Sequence, residues 1–402
     1  MQRSTHRILT SHVGSLPRTP ELYARLQAKE AGEGPDEKLA ADIAASVAAV
    51  VARQLDVGID VIDDGEHSKS SWNNYAASRL DGYSVVDLPF GHTGKTRDSI
   101  EFGPVYEENK AMYAARPLKL AMPRRRKVFA CTGPVKYRGH AEVATDIANL
   151  KAAIASGPAP EQSAIKGTRL PTDVFMTALS PSNVALYYPN KFYATDEEYY
   201  VAIADAMHEE YKAIVDAGFI VQVDDPRIAT HYDRHPDLSV EDCRRFIAAQ
   251  VEIINHALRG IPADRVRFHT CYSTNVAPRL HDLELRHYVD LMLTINACGY
   301  SFEAANPRHE HEWRVWEEVR LPDDKLLIPG VASHCVALVE HPDLVAQRIA
   351  RFAGVVGRER VIASNDCGFA SSGAGDEVHP LVAWAKLEAL VEGAKRASGE
   401  LW

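Results

Sequence analysis

The sequence contains no apolar run approaching the ~20 residues needed to cross a bilayer. Its first residues, Met1-Gln2-Arg3-Ser4-Thr5-His6, carry no apolar signal core. Cysteine is scarce, with six in 402 residues. That is too few and too scattered for a disulfide framework, so a reducing, cytoplasmic setting is expected and the thiols are free to bind metal. Positive charge is also short: 45 Lys and Arg against 55 Asp and Glu leave a net charge of −10. Such a balance argues against a nucleic-acid or anionic-membrane surface. The one basic run, Arg124-Arg125-Arg126-Lys127, is short and isolated, and is taken as a solvated tether. Internal repeats and low-complexity stretches are absent. Oligomeric state is not encoded legibly, and a homo-oligomer is compatible with the pattern.

What the chain does have is alternation. β-branched apolar runs at 7–13, 60–64, 127–132, 173–179, 219–224, 266–271, 300–304, 326–331 and 360–365 are separated by helical stretches. Leu39, Ile43, Val47, Val50 and Leu55 make one helical stripe. Phe246, Ile253, Ile254 and Leu258 make a second, and Val345, Ile349, Phe352 and Val356 a third. Thr195 with Glu198 and Ser239 with Asp242 have capping-box spacing; Pro342 suits a helix start, and Gly218, Gly260 and Gly357 suit helix ends. Strand–helix alternation implies a parallel sheet, and about eight units imply a (β/α)8 TIM barrel spanning 1–402 as a single catalytic domain. Nine candidates for eight places leave one strand outside the ring, expected to be the N-terminal one. The stretch 82–126, rich in Gly, Pro, Tyr and charge, breaks the rhythm and is expected to be an insertion or excursion.

Polar residues collect where the strands end: His12-Val13-Gly14-Ser15, Asp64-Gly65-Glu66-His67, Thr132-Gly133-Pro134, Ser180-Pro181-Ser182-Asn183, Gln222-Val223-Asp224-Asp225, His269-Thr270-Cys271, Glu303, Ser333-His334 and Asn365-Asp366-Cys367. In a barrel these positions share the C-terminal rim, where active sites are built. His269 and Cys271 are two apart, so on a strand they point the same way. With Glu303 and Cys367 they form a four-ligand set suited to zinc. Each residue alone has a plainer reading as a packed thiol or a satisfied polar group; Cys131, Cys243, Cys298 and Cys335 are given that reading. Two thiolates and a carboxylate over-neutralise a divalent ion, which disfavours water activation. Zinc still deprotonates a thiol that otherwise ionises near pH 8.5, so the set suits thiol alkylation. Gly14 and Ser15 suit a substrate carboxylate, and Glu66 and Asp224 suit an ammonium group, with rim salt bridges as the alternative. Asp225, His67, His309, His311 and His334 are further candidates for proton delivery.

These residues resemble the cobalamin-independent methionine synthase family, specifically its catalytic C-terminal half. The resemblance runs through Val13-Gly14-Ser15, Gly65-Glu66, Thr132-Gly133-Pro134-Val135, Gln222-Val223-Asp224, His269-Thr270-Cys271-Tyr272, Phe302-Glu303, Pro329-Gly330-Val331 and Asp366-Cys367-Gly368. It implies a barrel of the uroporphyrinogen-decarboxylase type, zinc on His269, Cys271, Glu303 and Cys367, and homocysteine on Ser15, Glu66 and Asp224. The implied reaction moves a methyl group from a methyl-folate or similar donor to the thiol, giving methionine. The chain has no counterpart of the family's N-terminal barrel. His67-Ser68-Lys69 follows Glu66 where the family has a small or acidic residue. Ser180-Pro181-Ser182-Asn183 and Tyr187-Tyr188-Pro189 stand in place of a Trp-containing segment near the pterin. A similar short barrel serves epoxyalkane:coenzyme M transferases, so another alkyl group or thiol remains open, as does a zinc or ligand-binding barrel without turnover.

Overall fold

A computed structural model describes the chain except residues 31, 34–35, 87–94, 109–127, 157–169, 275–277 and 372–377. Eight short parallel strands form the ring: β1 (Leu9–Thr10), β2 (Val61–Ile62), β5 (Asp173–Leu179), β6 (Ile220–Asp224), β7 (Val266–Thr270), β8 (Gly299–Phe302), β9 (Leu326–Ala332) and β10 (Ile362–Asn365). Their order is β1-β10-β9-β8-β7-β6-β5-β2, and a parallel bridge between Ser11 and Val61 closes it. Two further strands, β3 (Leu80–Val86) and β4 (Val128–Tyr137), pair antiparallel outside the ring. The (β/α)8 barrel is therefore present.

The strand left out of the ring is β4, which corrects the assignment to the N-terminal strand. β1 pairs with β10 through Leu9 and Ile362, while β2 pairs directly with β5 through Val61 and Asp173, so no gap remains for β4. Instead β4 takes β3 as its partner, a strand that periodicity alone did not reveal. The hairpin lies over the helix Asp196–Asp216, where Tyr83 and Tyr199 share hydroxyls at 3.1 Å and the Tyr137 hydroxyl donates to Glu210 at 2.9 Å. Thr132-Gly133-Pro134 consequently sits within β4 and not on the barrel rim. The basic run Arg124–Lys127 and much of the 82–126 excursion lie outside the described residues. The part described does reach the rim: Arg97 donates to Tyr232 O at 2.9 Å, Asp98 Oδ1 accepts the amides of Leu280 and His281, and the Tyr106 hydroxyl meets Pro278 O at 3.1 Å.

The helical stripes bury as their spacing requires. Leu39, Ile43, Val47, Val50 and Leu55 pack inward from the helix Leu39–Val57, and Val345, Ile349, Phe352 and Val356 do so from Pro342–Val356. From Val240–Ala257 the buried positions are Cys243, Ile247, Gln250, Val251, Ile254 and Ala257, with Phe246 and Ile253 half-buried beside them. Ser239 and Asp242 form the capping box, Thr195 caps through Glu198 N, and Gly357 closes its helix at φ 92°. The barrel floor is filled by Leu9, Leu326, Ile328 and Ile362 on one side and Val61, Phe175 and Ile220 on the other, with Met1 against both. No helix among the described residues is long and apolar enough to cross a membrane.

Candidate active site

β6 and β7 run in register so that Asp224 neighbours His269. The Asp224 carboxylate receives His269 Nδ1 at 2.8 Å and Gln222 Nε2 at 2.7 Å; Gln222 is held in turn by Val13 O at 2.6 Å. This leaves His269 Nε2 buried without a partner, facing the rim. A carboxylate on one imidazole nitrogen sets the tautomer and directs the other nitrogen to a metal. Burial alone would lower the His269 pKa, but the Asp224 hydrogen bond and the Cys271 thiolate outweigh it and raise it. Burial raises the Asp224 pKa despite that bond.

Cys271 lies one residue past β7 and Cys367 two past β10, with their sulfurs 3.3 Å apart. The Cys367 thiol donates to Cys271, which lowers the Cys271 pKa and raises that of Cys367 well above the ordinary thiol range. One donor atom each from His269, Cys271 and Cys367 lies within 4.8 Å of the others. A buried imidazole nitrogen lacking a partner beside two converging sulfurs fits a zinc ion. All six cysteines are free thiols.

Glu303, the expected fourth ligand, is not in that group. Its Oε1 accepts the amide of Tyr272 at 2.6 Å, and its Oε2 faces Asn306 Nδ2 at 3.0 Å and Arg279 Nη2 at 3.5 Å. It groups instead with His334 and Asp366.

A cleft opens over the sulfurs, lined on the inner side by Ser15, Glu66, Asp224, His269, Cys271 and Cys367. Gly14 is required for this approach: its φ is 130°, and a Cβ there would meet Thr177 Cγ2 at 2.5 Å. Ser15 Oγ is buried without a partner. Glu66 sits in a left-handed turn (φ 60°) after Gly65 (φ 64°), a conformation costing a non-glycine residue about 1–2 kcal/mol. The turn is held by Asp63 Oδ1 accepting Gly65 N and Asp64 Oδ1 accepting Glu66 N. It aims the carboxylate inward, where Oε1 accepts Thr177 Oγ1 at 2.6 Å and Oε2 has no hydrogen-bond donor. Lys69 supports this from behind, donating to Thr177 O and Oγ1, both at 2.8 Å.

Of the outer wall, the sequence alone singles out only Tyr187, in the segment placed on the donor side. The wall consists of Trp72, Leu186, Tyr187, Arg227, Thr230 and Arg234. Arg227, Thr230 and Arg234 share one face of the helix Pro226–Arg234, a spacing visible in the sequence but meaningful only once that helix is known to start at the rim.

The other candidates for proton delivery sit elsewhere. Asp225 caps the helix Pro226–Arg234 and binds Ser182 and Asn183. His67 bonds Ser46 at 2.7 Å, and burial pulls its pKa to about 3. His311 is exposed, and burial lowers His334 to about 4. His309 stacks on Tyr272 at 3.7 Å and bonds Glu312 at 3.0 Å and Asp282 at 3.1 Å, bracing the loop that carries Cys271.

Burial would lower the His309 pKa, but the two carboxylates raise it from 6.5 to about 9. A raised pKa means the folded state holds the proton more tightly. The stabilisation is therefore complete below pH 6.5 and is lost as pH rises through about 9. Its size is on the order of 3 kcal/mol. Urea denaturation between pH 6 and 9.5 should show stability falling over that window, with a flatter profile in His309→Gln. Equal profiles would refute the assignment.

A family model described as "Cobalamin-independent synthase, Catalytic domain" matches residues 8–93. A methionine synthase of Saccharolobus islandicus is 24% identical over 395 residues, covering 98% of this chain and 95% of that protein. A methionine synthase of Thermococcus kodakarensis is 22% identical over 395 residues, covering 98% and 94%. The solved structure of a B12-independent methionine synthase from Shewanella sp. W3-18-1, in complex with selenomethionine, superposes with a TM-score of 0.69 at 18% identity, covering 98% of this chain and 99% of that one. That likeness shows the same fold.

Proposed function

We propose, from the premise that the chain belongs to the cobalamin-independent methionine synthase family, that it moves a methyl group to the sulfur of homocysteine, giving methionine. The donor is read as a methyl-folate or a similar methyl compound. The observation that carries this reading is the convergence of His269 Nε2, Cys271 and Cys367 on the inner wall of the cleft, with His269 Nδ1 fixed by Asp224. Residues 1–402 are read as one catalytic unit, and the need for reduced thiols fits a cytoplasmic enzyme.

His269, Cys271 and Cys367 would hold a zinc ion, with Glu303 as a fourth ligand after a change of rotamer away from Tyr272 N. Zinc bound there supplies the charge that turns an incoming thiol into a thiolate at neutral pH. The chain's own groups hold and aim the acceptor. Ser15 Oγ, beside the close backbone approach that Gly14 allows, takes its carboxylate, while Glu66 Oε2, lacking a hydrogen-bond donor, takes its ammonium group. Asp224 keeps His269 in one tautomer and borders the same space. Trp72 and Tyr187, edge to face at 5.7 Å, offer apolar faces to a ring-bearing donor and exclude water from the transfer. Alignment of the two partners is then the main source of rate.

The test is a product screen by mass spectrometry. Purified protein is offered homocysteine, 2-mercaptoethanesulfonate and simple thiols, each with methyl-folate mono- and polyglutamates and with other N- or S-methyl donors. Methionine from homocysteine is expected. A methylated or alkylated product from another thiol alone would replace homocysteine as the acceptor. No product from any pair, with zinc present, would leave a binding barrel without turnover.

A further inference from the structure

The two sides of the cleft carry opposite charge. Glu66, Asp224 and the two sulfurs stand on the inner side, whereas Arg227 and Arg234 stand on the outer wall. Both arginines come from the helix Pro226–Arg234, two turns apart and so on one face, with Thr230 midway between them. Both are half-buried. Arg227 is anchored through Nη1, which donates to Ser182 O at 3.0 Å and to the Tyr200 hydroxyl at 2.8 Å. Arg234 leans on Thr230 Oγ1 through Nε at 3.4 Å.

These acceptors are all neutral, and among the described residues neither guanidinium is ion-paired. The neighbouring acids are engaged elsewhere. Asp225 accepts from Ser182, Asn183 and the amide of Ile228, and Asp233 accepts the amide of Asp98 at 2.9 Å. A lone unpaired arginine on an open surface is ordinary. Two on one wall of the cleft that holds the reactive sulfurs set a positive potential where a substrate enters. The distance to be bridged is short, because one side chain feels both ends. Burial raises the pKa of Tyr187, Arg234 pulls it down and Cys271 adds to the rise.

We infer that Arg227 and Arg234 form an anion subsite that takes the carboxylate, sulfonate or phosphate of the alkyl-bearing substrate. The planar guanidinium fork suits such groups, and Arg227 Nη2 and Arg234 Nη1 and Nη2 are not used in the hydrogen bonds above. With its acid group on this wall, the donor lies between Trp72 and Tyr187 and turns its alkyl end toward Cys271 and Cys367. A neutral donor would leave both arginines unanswered, and a purely cationic one would be repelled. Assigning the anion to the donor rests on the methyl-transfer reading, in which Ser15 holds the acceptor's carboxylate on the inner side; the subsite itself does not.

Zinc-loaded full-length protein is titrated with inorganic phosphate by calorimetry at constant ionic strength. Affinity is expected to fall about 10- to 100-fold in Arg234→Gln and in Arg227→Gln. Arg227 also packs over the Phe246 ring at 4.8 Å, so Arg234→Gln decides if the other variant folds poorly. Phosphate held on zinc would bind the variants as it binds the native chain. Equal affinities, or no binding to the native chain, would overturn the subsite. For a donor that supports turnover, the acid is then compared with its carboxamide or ester. Arg234→Gln should raise KM for the acid about 10- to 100-fold, leaving KM for the neutral analogue and for homocysteine unchanged. A rise in KM for homocysteine instead would overturn the assignment to the donor. The phosphate titration needs no turnover, so an empty product screen would sink the methyl-transfer reading and leave the subsite to be judged separately.

Discussion

Cys367→Ser is expected to drop zinc from about one equivalent to less than half and to take methyl transfer to homocysteine down with it. Structural zinc sites bind with about 10–16 kcal/mol over four ligands, or about 3 kcal/mol per ligand, which is roughly a hundredfold in affinity. Serine would have to ionise at neutral pH to replace the thiolate, and its alkoxide is far harder to form. Activity at limiting zinc should fall with metal occupancy, by about a hundredfold. The fold should survive, since the exchange is nearly isosteric. Metal analysis with circular dichroism tests this directly. Cys243→Ala, in the buried face of the helix Val240–Ala257, serves as the control that retains zinc. Zinc content unchanged in Cys367→Ser would sink the thiolate reading of the site.

Asp224→Asn should weaken zinc binding by about 10- to 100-fold while leaving the three ligand residues in place, because the carboxylate acts on zinc through His269. In the native chain the charged carboxylate both accepts from His269 Nδ1 and raises imidazole basicity. A neutral amide keeps the geometry of one acceptor but loses the charge. Chelator competition measures the affinity, and assays at saturating zinc separate a second role. A residual rise in KM for homocysteine under those conditions would mean that Asp224 also holds the acceptor's ammonium group. An unchanged KM would confine it to positioning His269. Unaltered zinc affinity would show that the 2.8 Å contact has no bearing on the metal.

These two variants also show where the sequence is informative. His269 and Cys271 are two residues apart on a strand, so their shared direction follows from local geometry. The burial of Val345, Ile349, Phe352 and Val356, the cap at Ser239, and the collection of polar residues at strand ends are local in the same sense. The role of Asp224 is not. Nothing in Gln222-Val223-Asp224 distinguishes an ammonium acceptor from the partner of a histidine 45 residues away. That depends on the register of β6 against β7. Arg227, Thr230 and Arg234 likewise become a cleft wall only when their helix begins at the rim.

By itself the sequence determined the alternating architecture, the rim on which the chemistry gathers, and the pairing of one imidazole with two thiols, because each rests on periodicity or on spacing within an element. Only the tertiary structure decided which strand stays outside the ring. Ring closure is a competition among pairings far apart in the chain, and β2 joins β5 directly while β3 claims β4. It also decided which way Glu303 turns. A carboxylate at a strand end can face either neighbour, and here the amide of Tyr272 and the side chains of Asn306 and Arg279 draw it away from the sulfurs, toward His334 and Asp366.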